Sequence, residues 1–207
     1  MRRRGFFITL EGPEGSGKSS QGRRLVKTLR QRGWRAALLR DPGSTALGRA
    51  LRQVLLHSEG SLSPLTEALL FIGGRVALVE ERIQPALRRG QVVVCDRFHD
   101  STVAYQGFGG RVPIDLLERV GRRAIGGCMP LLTFLLDIPT EAGFARLRRD
   151  HDRMERKERA FHRRVRQGFR RLAAHEPHRF VVLDASKPAA QVQRQMKTAV
   201  FTRLPRR

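Results

Sequence analysis

The residues Gly12-Pro13-Glu14-Gly15-Ser16-Gly17-Lys18-Ser19 have the types and spacing of a phosphate-binding loop, G-x-x-x-x-G-K-[ST]. Glycines at these positions let backbone N–H groups turn inward around phosphate oxygens, and a following helix N-terminus adds partial positive charge. Lys18 would reach the outer phosphates and the Ser19 hydroxyl would ligate Mg²⁺. The chemistry works only between a strand and a helix. The flanks provide both, with apolar Phe6 to Leu10 before the loop and a helical pattern from Lys18 after it. The pattern points to a nucleoside triphosphate site.

A second constellation follows the apolar run Val92-Val93-Val94-Cys95, which ends in Asp96-Arg97. Carboxyl ends of strands in a parallel α/β sheet face the ligand crevice. Asp96 is placed there to hold Mg²⁺ through water, and Arg97 to grip a phosphate; the plainer alternative is a local ion pair. Ser101 to Gly107 contributes hydroxyls, an amide and the only tyrosine, Tyr105. Those groups suit a sugar and base, and equally an ordinary polar loop. Phe71 and Arg75 share a helix face at i, i+4, as a base-stacking pair or as core plus a surface arginine. The charged stretch from Arg146 through Arg148, Arg149 and Asp152-Arg153-Met154-Glu155 offers cations for a migrating phosphoryl group, or a solvated helix end.

Five short apolar runs position these groups: Phe6 to Leu10, Ala36 to Leu39, Val92 to Cys95, Leu132 to Leu136 and Phe180 to Leu183. Amphipathic stretches separate them, at Lys18 to Arg32, Ala46 to Leu56, Asp115 to Ala124, Thr140 to Arg149, Glu158 to His175 and Ala189 to Arg203. A further long helix starts at Ser63-Pro64, a capping pair, and runs to Arg89. Alternation of this kind predicts an α/β fold with a parallel sheet covered by helices. Gly107 to Pro113 reads as a loop, and Asp150 to Lys157 as a solvated, mobile segment.

At 207 residues and 40% hydrophobic content, the chain suits one domain, 1–207, with a lid at about 146–160. No run approaches the ~20 apolar residues of a membrane span. Met1-Arg2-Arg3-Arg4 resembles the start of a signal peptide, but the apolar run after it stops at Glu11. A cytoplasmic protein with no membrane partner is expected. Cys95 and Cys128 form no disulfide framework or zinc-ligand spacing. The net charge of +22, from 41 Lys+Arg against 19 Asp+Glu, attracts polyanions, but the basic residues are dispersed and phosphate attraction carries no sequence readout. Small nucleotides rather than nucleic acid are the expected partners.

Together these segments resemble the bacterial thymidylate kinases, P-loop nucleoside monophosphate kinases, over nearly the whole chain. The resemblance rests on Phe7 to Gly12 with the phosphate loop, Arg40-Asp41-Pro42-Gly43-Ser44-Thr45, Phe71 to Arg75, Asp96-Arg97-Phe98, Ser101-Thr102-Val103-Ala104-Tyr105-Gln106-Gly107, Leu132 to Asp137, Asp152 to Glu155 and Phe161 to Arg166. It implies a five-stranded parallel sheet, a lid, a homodimer, and transfer from ATP with Mg²⁺ to dTMP on the route to dTTP. It also implies that Gly12 to Ser19 bind ATP, with Ser19 and Asp96 at the metal. Phe71 stacks on thymine, while Arg75 and Thr102 bond its edge. Tyr105 crowds the sugar, Glu14 lies near the 3′-hydroxyl, and Arg97 holds the acceptor phosphate. Gly15 stands where some relatives carry a catalytic arginine. That assigns catalysis to Lys18, Arg97 and lid arginines, Arg153 with Arg148 or Arg149. Three departures are present: Asp41 for a longer acid, Ser44 for a glycine, where a positive φ would cost about 1 kcal/mol, and Leu131 for an acid. They keep two alternatives in view, a divergent relative with another nucleoside monophosphate acceptor and a non-catalytic nucleotide- or nucleic-acid-binding protein.

Overall fold

The computed structural model describes residues 5–57, 60–147 and 152–204. Met1 to Arg4, and the candidate residues Arg148, Arg149 and Asp150, lie outside the described residues.

Five strands form one parallel sheet: β1 (Phe6–Glu11), β2 (Ala36–Arg40), β3 (Val92–Asp96), β4 (Leu132–Asp137) and β5 (Phe180–Asp184). Their order across the sheet is β2-β3-β1-β4-β5, with Ile8 opposite Val94 on one side and Leu132 on the other. Each strand is one residue longer than its apolar run, because the ladder continues to a charged residue at the carboxyl end. Leu10 and Arg40 both pair with Asp96, and Asp137 pairs with Asp184. The three interior strands β1, β3 and β4 are almost wholly buried, as a sheet covered on both faces requires.

Helices α1 (Lys18–Gln31) and α9 (Ala189–Arg203) cover one face, where Leu25, Leu29, Met196 and Val200 pack on Ile8, Leu10 and Phe134. The other face carries α2 (Ala46–His57), α3 (Pro64–Leu78), α4 (Gln84–Arg88), α5 (His99–Thr102), α6 (Ile114–Ala124) and α8 (Arg159–His175), with short α7 (Thr140–Ala145) beside the phosphate loop. Ser63 caps α3 as expected, its hydroxyl accepting from Thr66 N at 3.0 Å. The long helix predicted to Arg89 is interrupted by a π-helical turn at Val79–Ile83, so α4 continues it in a new phase.

Three expectations are corrected. Gly107 to Pro113 is not a loop from its start: α5 runs into a π-helical stretch, Val103–Gly109, and the turn begins at Gly110. Its glycines serve close packing, since a Cβ on Gly109 would lie 2.6 Å from the Phe161 ring of α8. The polar residues Ser101 to Gln106 are therefore helical and buried rather than on a loop. The helix predicted over Thr140 to Arg149 ends at Ala145. The described part of the charged segment, 152–157, is no solvated stretch either: Met154 is 5% exposed and Glu155 7%. Two of its cations, Arg153 and Lys157, pair with the buried Glu67, while Arg156 stays exposed.

Candidate active site

The loop Gly12 to Gly17 leaves β1 and feeds α1 through Gly17, at φ 86°. Lys18 folds back over the loop, and its Nζ donates to Gly12 O at 2.9 Å, Pro13 O at 2.7 Å and Ser16 Oγ at 3.1 Å. Burial, reinforced by Arg97, pushes the Lys18 ammonium down to about 7. Ser19, one residue on, donates its hydroxyl to the Asp96 carboxylate at the end of β3. Arg40 Nη2 contacts both, at 2.9 Å from Ser19 Oγ and 3.4 Å from Asp96 Oδ2.

Arg97 holds a left-handed backbone, φ 67°, which costs a non-glycine residue about 1–2 kcal/mol. That turn aims its guanidinium back across the loop. Nη1 donates to Gly12 O and Ser101 Oγ, each at 3.2 Å, and Nη2 to Tyr105 Oη at 3.1 Å and Glu14 Oε1 at 3.4 Å. Burial opposes its charge, but the carboxylates of Glu14, Asp96 and Glu11 around it favour the charged form. Tyr105 donates to Glu14, and burial keeps its phenol protonated. Burial also works against the Glu14 carboxylate. The His162 imidazole, 3.3 Å away, together with Arg97 and Lys18, nevertheless holds it down at about 2.

Arg75 is 1% exposed, so it is not the surface residue its type suggests. Its Nε donates to Asp41 Oδ2 at 2.5 Å and its Nη2 to Thr102 Oγ1 at 2.8 Å. Nη1 is buried with no hydrogen-bond partner among the described residues. Burial raises Asp41 although Arg75 opposes that shift, and the shorter acid reaches its partner. Ser44 has no positive φ; the left-handed position is Gly43, so the serine carries no strain. Its Oγ accepts from Arg40 N at 2.7 Å instead. Leu131 is 58% exposed before β4, outside this cluster.

These groups line one cavity of about 560 Å³. Glu14, Gly15, Gly17, Lys18, Ser19 and Asp96 lie along it with Phe71, Arg75, Arg97, Thr102 and Tyr105. Gly12, Pro13 and Ser16 do not line the cavity but hold Lys18 through the bonds above. Arg153 stands elsewhere: its Nε donates to Leu55 O at 2.9 Å and its Nη1 to Glu67 Oε1 at 2.8 Å. Gln106, the amide of the Ser101 to Gly107 stretch, lines the cavity too, and so does Arg52 of α2, which the sequence did not single out. Arg52 lies one helical turn below Leu56 with no motif to mark it.

At Gly15, φ is 67° and a Cβ would lie 2.5 Å from the carbonyl carbon of Gly143 in α7. With α7 in this place, position 15 admits no side chain. The arginine that some relatives carry there has no room here.

A family model for thymidylate kinase matches residues 10–196. The chain belongs to the thymidylate kinase family. It is 48% identical to a thymidylate kinase of Synechococcus sp. strain JA-2-3B'a(2-13), over 97% of this chain and 96% of that one. It is 45% identical to one of Deinococcus radiodurans, over 96% and 98%. Among solved structures, thymidylate kinase of Ehrlichia chaffeensis is similar with a TM-score of 0.79 at 30% identity, covering 96% of this chain and 99% of that chain. Membership in the thymidylate kinase family also accounts for the sheet order and for the loop between β1 and α1.

Proposed function

We propose that this chain transfers the γ-phosphoryl group of ATP to dTMP, giving dTDP and ADP. The observation that carries the reading is one continuous cavity with a phosphate-loop end, Lys18 and Ser19, and a base-sized end, Phe71, Arg75 and Thr102. Its volume is in the range of small-ligand sites, ~300–1,000 Å³. Arg75 Nη1, buried and unbonded, supplies a donor for a base oxygen, and Phe71 a ring for stacking. Tyr105 and Glu14, locked to each other and to Arg97, form the wall for a deoxyribose.

In the reaction, an anionic oxygen of the dTMP phosphate attacks the γ-phosphorus, and the bond to the β-phosphate oxygen breaks as ADP leaves. The acceptor is already ionised, so no strong general base is needed. Lys18 exchanges its backbone carbonyl contacts for phosphate oxygens, and Arg97 holds the acceptor phosphate in line. Ser19 Oγ and Asp96 form an all-oxygen donor set that would hold Mg²⁺. Bound Mg²⁺ would neutralise charge on the β- and γ-phosphates.

The lid, about 146–160, is assigned the cations on the migrating phosphoryl. Arg149 with Arg148 fills that role in preference to Arg153, whose Nη1 is held by Glu67 and whose Nε is held by Leu55 O, away from the cavity. Leu65 and Leu69 of α3 and Val120 of α6 are exposed and suit a homodimer face. Among the described residues no helix is long and apolar enough to cross a membrane, in keeping with a cytoplasmic site of action.

The test is an acceptor panel of dTMP, dUMP, UMP, CMP, AMP and GMP with ATP and Mg²⁺. Turnover with strong preference for dTMP is expected. Preference for another acceptor would overturn the base pocket, and silence with all of them would overturn the kinase.

A further inference from the structure

Glu67, on α3 one turn before Phe71, is 0% exposed. Its carboxylate gathers three donors from two other places in the fold. Arg153 Nη1 reaches Oε1 at 2.8 Å, Lys157 Nζ reaches Oε1 at 3.0 Å and Oε2 at 3.1 Å, and Gln106 Nε2 reaches Oε2 at 2.9 Å. The same arginine ties the segment to the end of α2: its backbone N donates to Leu56 O at 3.0 Å and its Nε to Leu55 O. Between the two cations, Met154 enters the core cluster that includes Tyr105 and Phe161, and the Lys157 ammonium lies 4.7 Å from the Phe161 ring centre.

Burying such a cluster is costly, and apolar residues of similar volume would stabilise the fold as well or better. What a buried, hydrogen-bonded charge cluster supplies is a fixed register between the elements that meet on it. Here those elements are the helix that carries Phe71 and Arg75, the stretch that carries Tyr105, and the segment 152–157. Glu67 does not line the cavity itself and touches its lining only through Gln106.

We infer that Glu67 is a positioning residue that seats segment 152–157, through Arg153 and Lys157, on the acceptor end of the site. It rests on the kinase reading above. Arg153 acts through Glu67 as an anchor and not on the phosphoryl group in flight. The foot of the proposed lid and the dTMP pocket are thereby held as one body, with water kept from the γ-phosphate.

A double-mutant cycle on turnover tests it, with rates corrected for folded protein. Glu67→Gln and Arg153→Ala are each expected to lower kcat about tenfold, about 1.4 kcal/mol. Their combination is expected to stay within threefold of the slower single variant, and Arg153→Lys to recover most of the rate. A second measurement depends on no folded fraction and needs only the Arg153 variants if Glu67→Gln fails to fold. The ratio of ADP to dTDP formed should rise above one in Arg153→Ala and return toward one in Arg153→Lys. Losses that multiply to about a hundredfold in the double variant, a lysine variant as slow as alanine, or a ratio that stays at one would overturn the inference. Wild-type protein that makes no dTDP would instead overturn the kinase reading itself.

Discussion

Gly15→Ala is the smallest change with a large predicted effect. The methyl group would lie 2.5 Å from the Gly143 carbonyl carbon and 2.8 Å from its Cα, against an ordinary carbon–carbon contact of ~3.5 Å. Both opposing atoms are backbone, so no side chain can swing aside. The loop or α7 must move by about 1 Å, and a misplacement of about 1 Å in a positioned site can cost ~10²-fold in rate. Stability falls as well, by about 1–2 kcal/mol for the left-handed backbone and about 1–3 kcal/mol for overpacking. Gly126→Ala is the control: its φ is 58°, nothing lies within 4 Å of its Cβ position, and it does not line the cavity. Urea melts and steady-state turnover of both variants separate the two contributions. Gly126→Ala should lose only the backbone term and keep its kcat, whereas Gly15→Ala should lose more stability and about two orders of magnitude in kcat. A Gly15→Ala protein as stable and as active as the control would refute the clash, and with it the account of why no arginine fits in this loop.

Lys18→Ala should leave the circular dichroism spectrum unchanged and lower turnover at least ~10³-fold, in line with the loss of a cation on the transferring phosphate. Arg75→Met removes the cation 2.5 Å from buried Asp41, and should cost about 3–5 kcal/mol in denaturation and weaken dTMP binding; adding Asp41→Asn should restore part of the stability but not the binding. Glu118 gives a pH dependence. Burial works against its carboxylate, yet the His99 and Arg122 contacts hold it down at about 2. Because the folded value lies below the unfolded one, its stabilisation is complete above pH ~4.5 and fades as pH falls toward 2. The stability gap between wild type and Glu118→Gln should therefore close as pH falls from about 4.5 toward 2; a gap that widened over that range would reverse the assignment.

The sheet and the phosphate loop were legible because their signals are local. Each strand is a short apolar run, and Gly12 to Ser19 needs no distant partner to be recognised. Only the last strand residues escaped, since Asp96 and Asp137 are polar and join the ladder for its hydrogen bonds rather than for burial. What sequence misread were residues whose role is set by distant neighbours. The glycines of Val103–Gly109 look like chain breakers but admit α8 at close range. Arg75 looks like a surface residue until Asp41 and Thr102 arrive from two other elements. Segment 152–157 looks solvated because its charges outnumber its apolar residues, yet Glu67, far away in the chain, draws two of its cations, Arg153 and Lys157, inward. Arg153 shows the same limit: its motif draws attention to a lid cation, while the contacts it makes with Leu55 O and Glu67 come from elements far away in the chain.

The central claim is that one cavity transfers a phosphoryl group between two nucleotides. The most direct measurement follows label from γ-labelled ATP in the presence of dTMP and Mg²⁺. The account predicts label in dTDP, stoichiometric with ADP and absent when Lys18 is replaced by alanine. Label appearing only as inorganic phosphate, or remaining in ATP in protein that binds both nucleotides, would contradict it.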